Sequence, residues 1–195
     1  MDYSMYYSYK DSGDILFVNF NESLKPNRKE KKGRIEVYYH DNEIVRYNIY
    51  DIKDIVKIKN EGMFYYPNPA LINVINTLLS NAGVPTLEIK DNSGYFIGEI
   101  KDIDNGIIRV TLGSEDITAK SNANDLHIGD KVVIAKKGVH LSTGEVVKEY
   151  MFNDVLINGH LCINNELGIK ENGEQVTILD KDIEIGKDFF SLEAK

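Results

Sequence analysis

One cysteine in 195 residues cannot close an internal disulfide, so no cross-linked framework of the kind found in oxidising compartments is expected. The four histidines are scattered and, with the lone cysteine, lack the paired ligand spacings of a structural zinc site; neither a metal nor any other cofactor is expected. No run of about twenty apolar residues occurs, which excludes a spanning helix. The amino terminus, MDYSMYYSYKDSGD, has neither the basic start nor the apolar stretch of a secretory signal. The expectation is therefore a soluble, cytoplasmic protein without a membrane partner. Enzyme signatures are missing too. There is no phosphate loop ending in Gly-Lys-Ser/Thr, no Gly-x-Gly-x-x-Gly between strand and helix, no Gly-x-Ser-x-Gly elbow and no His-Glu-x-x-His.

Positive charge is also in short supply. The chain has a formal net charge of −8, and residues 1–89 carry 11 Lys+Arg against 12 Asp+Glu while residues 90–195 carry 12 against 19. The second half thus holds a net −7, although binding a phosphate backbone normally calls for a basic face. Any nucleic-acid contact there has to come from a local cationic spot, for which Lys120, Lys136 and Lys137 are available.

What is present is enough apolar material, 42% of residues, to pack a core in one large domain or two small ones. In the first half, DILFVNF (14–20), RIEVYY (34–39) and EIVRYNIY (43–50) read as strands, with a hairpin at Asp41-Asn42. The basic segment LKPNRKEKKG (24–33) reads as a solvated loop. NPALINVINTLLSNAG (68–83) reads as an amphipathic helix: Asn68 caps it, Pro69 opens it, residues 71, 72, 75, 78 and 79 are apolar, and Gly83 ends it. After a link at 84–94 the pattern turns to β, with strands expected at 95–103, 106–112, 116–120, 131–136, 145–152, 160–164 and 174–179. The division is an α+β domain over 1–88 and a small all-β barrel over 89–195.

Two groupings invite a chemical reading. Asp102 and Asp104 lie just before Asn105-Gly106, the strongest short hairpin signal, where carboxylates are usually only solvated. His160 and Cys162 lie two apart in a β-type run and so on one strand face, but nothing supplies an orienting third group or an anion-stabilising site. A free cysteine is most often a small buried apolar residue, and Cys162 is read that way.

Two segments of the second half resemble the EMAP/PheRS-β-type tRNA-binding domain. GDKVVIAKKGVHLSTGEVVKE (129–149) and NGHLCINNELG (158–168) match its Gly-x-Lys-Val-Val-x-Ala strand and Gly-rich turn, and its Gly-Met-x-Cys-Ser segment followed by Glu-Leu-Gly. Gly129, Lys131, Val132, Val133, Ala135, Gly138, Gly144, Lys148, Gly159, Cys162, Glu166, Leu167 and Gly168 stand at the matching places. VTILDKDIEIGKDFF (176–190) resembles the closing strand of that family. In the first half, SGDILFV (12–18), RYNIYD (46–51) and the helix ending in NAG (81–83) resemble the extra N-terminal, DUF4479-like domain of YtpR-type proteins. The resemblance implies an oligonucleotide-binding (OB) fold for the second half, non-catalytic, that recognises tRNA by shape.

The sequence departs from that family in three places. The connection between the first two barrel strands is a tight hairpin without the His-Pro-x-Ala-Asp-x-Leu motif. KSNAN (120–124) stands where the family has Cys-Gly-Ala-Pro-Asn, and His160 and Ile163 replace its Met and Ser. Correspondence to the motif segments nominates Lys120, Ser121, Asn122, Asn124, Lys136, Lys137, Asn158, His160 and Asn164, together with Arg109, as the RNA-facing groups. The lysines and Arg109 would meet phosphates, and Asn and His would meet ribose or bases. The implied partner is tRNA or another structured RNA. The competing reading is a protein-interaction or homodimer module, with the Tyr-rich segments 3–9 and 63–69 as contact surface; a Cys162-dependent enzyme is the control hypothesis.

Overall fold

The alternation of Ile, Val and Tyr with polar residues through the first half becomes a sheet, and the helical stripe becomes its cover. A computed structural model describes residues 3–10, 13–59 and 61–191. Met1, Asp2, Asp11 and Ser12 of the segments quoted above lie outside the described residues. The chain divides into two units, Met1–Asp91 and Asn92–Lys195. No helix among the described residues is long and apolar enough to cross a membrane.

In the first unit β1 (Ser4–Ser8), β2 (Ile15–Asn19), β3 (Arg28–Lys32), β4 (Ile35–His40), β5 (Glu43–Tyr50) and β6 (Gly62–Phe64) form one antiparallel sheet in the order β3-β4-β5-β2-β1-β6. Helix α1 (Pro69–Asn81) starts where expected, because the Asn68 side chain accepts a hydrogen bond from Ala70 N at 2.7 Å and Pro69 has no N–H to satisfy. Its buried residues Leu71, Ile72, Ile75 and Leu79 join Met5, Tyr7, Leu16, Val18, Ile35, Val37, Tyr47 and Ile49 in one core. Beyond Ala82, Gly83 has φ 66°, the left-handed conformation that stops a helix.

The basic segment is not a loop. Residues 28–32 form β3, paired with β4 at the sheet edge. The Arg28 guanidinium lies 3.7 Å from the centroid of Tyr39, and Lys29 is ion-paired with Glu36 at 3.3 Å. A charge-only strand is stable at an edge because the cations stay solvated while their stems cover neighbouring rings. The Tyr-rich segment 3–9 contains β1. Its Tyr7 is buried, donating to Asp14 at 2.9 Å, and Tyr3 is buried too, donating to Glu88 O at 2.7 Å, so of this run only Tyr6 and Tyr9 are left well exposed.

In the second unit β7 (Tyr95–Asp104), β8 (Ile107–Thr111), β9 (Asp116–Lys120), β10 (Lys131–Lys136), β11 (Tyr150–Phe152), β12 (Val155–Ile157), β13 (Gly159–Leu161) and β14 (Ile178–Leu179) follow in order. The main antiparallel sheet runs β13-β10-β7-β8-β9, with β14 also on β10. Asn158 closes it: its N–H donates to Thr118 O at 3.0 Å and its Oδ1 accepts from Thr118 N at 2.8 Å. The free edge of β9 is thereby joined to the start of β13. Ile100, Ile108, Val110, Ile117, Ala119, Val132, Ile134 and Leu161 fill the interior. The β7–β8 turn is the tight hairpin expected, with Asn105 at φ 48° and Gly106 at φ 78°.

Three expected strands differ. Of 145–152 only 150–152 is a strand, paired with 155–157 across Asn153 and Asp154; Val146 makes only an isolated bridge to His140. The run 160–164 is strand at 159–161 and then a 3-10 turn at 164–167, and 174–179 shortens to 178–179. Each of these runs is apolar enough to pack but short of strand partners along its whole length, and packing decides.

Candidate nucleic-acid interface

Along β8 and β9 the buried residues Ile108, Val110, Ile117 and Ala119 alternate with outward ones, so Arg109, Thr118 and Lys120 share the outer face. Register places Arg109 opposite Thr118 and Ile107 opposite Lys120, so the two cations lie two rungs apart on that face, with Asp102 of β7 opposite Arg109 on the other side. Arg109 has no hydrogen bond or ion pair to a described residue and is exposed. Lys120 sits 4.1 Å from the centroid of Phe152. The loop that follows carries exposed Asn122 and Asn124. This is the one place where the nominated groups converge while still free to take a ligand.

The other candidates are engaged internally. Lys136 is ion-paired with Glu115 at 2.5 Å and lies 4.4 Å from the Phe96 centroid; Lys137 is paired with Glu149 at 2.5 Å. Ser121 Oγ accepts from Ala123 N at 3.1 Å, holding the loop. Asn158 is the closure of the barrel. Asn164 donates to the carbonyls of Glu171 (3.0 Å) and Asn172 (3.2 Å) and accepts from Thr177 Oγ1 at 2.7 Å, which uses its amide fully.

His160 pairs with buried Ala135 across β10 and donates its Nε2–H to the Glu166 carboxylate at 2.8 and 2.9 Å. That carboxylate, buried, also accepts Ile163 N–H at 3.0 Å and so caps the 164–167 turn from its third residue. Ile163, standing where the resembling family has a hydroxyl, packs against the barrel core instead.

Cys162 is fully buried, and burial first, then the Glu166 charge, pushes its thiol well above the usual range. Its Sγ contacts the His160 carbonyl at 3.7 Å rather than the ring. A thiol held protonated and out of solvent is a poor nucleophile. Among the described residues no three His, Cys, Asp or Glu side chains group to hold a metal ion.

Sequence reasoning missed the hairpin beside Lys120. Tyr150, Met151 and Leu156 are exposed at 47%, 63% and 47%, and Met151 faces Leu156 across the pair. The Asn153-Asp154 step inside YMFNDVLI was the available signal, since both residues tolerate the left-handed turn.

The second unit is thus a closed antiparallel barrel whose outer face carries Arg109 and Lys120 beside Asp102 and Asp104 of β7. No family model matches the chain. It is 22% identical over 197 residues to a candidate tRNA-binding protein, YtpR, of Bacillus subtilis, covering 94% of this chain and 98% of that protein. It is also 33% identical over 82 residues to the phenylalanine–tRNA ligase beta subunit of Syntrophus aciditrophicus, covering 42% of this chain and 10% of that subunit. The Fusobacterium nucleatum ligase beta subunit is 31% identical over 108 residues, 51% of this chain and 14% of that subunit.

Proposed function

We propose that this chain is a non-catalytic tRNA-binding protein, with an OB-fold barrel as the RNA module and an α+β domain preceding it, the two meeting near residue 89. The observation that carries the reading is the end-to-end likeness to the Bacillus protein, joined by an independent likeness to ligase beta subunits. Only RNA contact is carried over from the ligases, because the matched stretch is a small part of each subunit.

The groups proposed to touch RNA are Arg109 and Lys120 on phosphates, with Asn122 and Asn124 at ribose or bases. Lys136 and Lys137 contribute less, since each already has a carboxylate partner. Anisotropy of labelled tRNA tests the assignment. Arg109→Glu with Lys120→Glu should weaken binding at least tenfold, and Lys136→Ala with Lys137→Ala by less than threefold, on the scale of a few phosphate contacts. The reverse ranking would show that the wrong face has been chosen.

A second reading is favoured by the exposed Met151–Leu156 pair: the hairpin as a self-association surface on a barrel with little RNA affinity. Sedimentation showing a dimer that Met151→Glu dissolves, without tRNA binding at low salt, would select it.

A further inference from the structure

The two faces of the first sheet are built differently. One packs on α1. On the other, cross-strand register lines up Lys29, Tyr38, Arg46 and Asn19 in one row, and Lys31, Glu36, Asn48, Phe17 and Tyr6 in the next. Residues directly opposite in an antiparallel pair share a face, so cations, aromatic rings and amides are interleaved on one surface. Tyr6 is 47% exposed with its ring 6.5 Å from that of Phe17, and the Arg46 guanidinium lies 4.3 Å from the centroid of Tyr38.

Two carboxylates lie at this face: Glu22 accepts from Ser4 Oγ at 3.1 Å and Asn19 Nδ2 at 3.0 Å, and Glu36 is held by three donors. The Glu36 carboxylate accepts from Tyr38 OH at 2.7 Å, Tyr50 OH at 2.9 Å and Lys29 Nζ at 3.3 Å. Lys31 has no partner among the described residues and is exposed. A hollow of about 320 Å³ beside Arg46 is lined by Asn19, Asn21, Glu22 and Lys25 among others.

Two buried polar atoms on this face lack partners: Asn48 Oδ1, on a residue only 6% exposed, and Arg46 Nε. Buried polar groups are almost always hydrogen-bonded. A ligand that completes this face must donate to an amide oxygen, accept from a guanidinium, carry negative charge and present flat apolar surfaces. A nucleotide chain does all four: base N–H groups donate, phosphates accept, and bases stack on aromatic rings.

We propose that this face of the first sheet binds a single-stranded stretch of RNA, with phosphates on Lys31 and Arg46, bases on Tyr6 and Phe17, and a base N–H on Asn48. The site is separate from the barrel face and does not rest on the reading given for it. The test is anisotropy of a labelled oligoadenylate of about twelve nucleotides, long enough for a site of this class, with the full chain at low salt. Saturable binding is expected, weakened about tenfold or more by Lys31→Glu with Tyr6→Ala and unchanged by Arg109→Glu with Lys120→Glu. Both altered side chains are exposed, and an unchanged urea midpoint keeps the comparison between folded proteins. Absence of oligonucleotide binding, or binding lost only in the barrel variant, overturns the proposal. So does self-association that Tyr6→Ala abolishes while no RNA binds, which would assign the face to a protein contact.

Discussion

Asn158 was nominated as an RNA contact and is found as the seam of the barrel, so replacing it by alanine should damage stability before it damages binding. The alanine removes the acceptor that lies 2.8 Å from Thr118 N, while the Asn158 N–H to Thr118 O bond at 3.0 Å remains. One half-buried amide is left unsatisfied, at a cost of about 1.5 kcal/mol within the usual range for such a loss. For a unit of about 100 residues this lowers the melting temperature by about 6–12 °C. Asn158→Asp keeps the acceptor and should stay within about 0.5 kcal/mol of the parent. Urea titration gives the stability, and hydrogen exchange at the Thr118 amide gives the site-specific readout, with faster exchange in the alanine variant alone. An alanine variant with an unchanged midpoint and a protected Thr118 amide would refute the closure argument.

Other consequences follow from packing and charge. A Cβ added at Gly98 would meet Val110 Cγ1 at 2.3 Å, so Gly98→Ala should cost about 1–3 kcal/mol by overpacking, seen as an earlier unfolding midpoint. Native Cys162 should resist a thiol reagent and react at the free-thiol rate only on unfolding, and Cys162→Ala should cost about 1 kcal/mol without changing RNA affinity. The Glu99 carboxyl, held down to about 2 by hydrogen bonds from Lys101 and Lys131, should matter in acid. Its folded value is below its unfolded one, so its contribution is present above about pH 4.5 and is lost as pH falls toward 2. Glu99→Gln should flatten that part of the stability profile, and an unchanged acid limb would count against the pairing with Lys131.

Much of the molecule was legible because it rests on local rules. Asn68, Pro69 and Gly83 bound the helix as caps do, Asn105-Gly106 turns as its left-handed dihedral angles allow, and Cys162 is buried like other isolated cysteines. Gly159 stands at a matching place of the resembling motif, and packing requires it: a Cβ there would meet Ile117 Cγ2 at 2.3 Å, across the same seam that Asn158 bonds.

What was not legible depends on partners distant in sequence. Glu115 lies 21 positions from the Lys136 it neutralises, and Thr177 lies 13 from the Asn164 it binds; no local pattern announces either. The strand at 28–32 was hidden because its charges argue for solvent, and an edge position lets them have solvent while the backbone pairs. The candidate RNA face shrank for the same reason, since most nominated side chains are spent on contacts that only the folded chain creates.

The central claim is that the chain binds tRNA through cations on the β8–β9 face. Its most direct test is a titration of labelled tRNA with the full chain, repeated between about 50 and 200 mM salt. The account predicts saturable binding that weakens with salt, and an Arg109→Gln, Lys120→Gln variant whose log–log salt dependence is shallower by about 1.5, the share of two phosphate contacts. Absence of saturable binding at about 50 mM salt, or a variant with an unchanged salt slope, would contradict it.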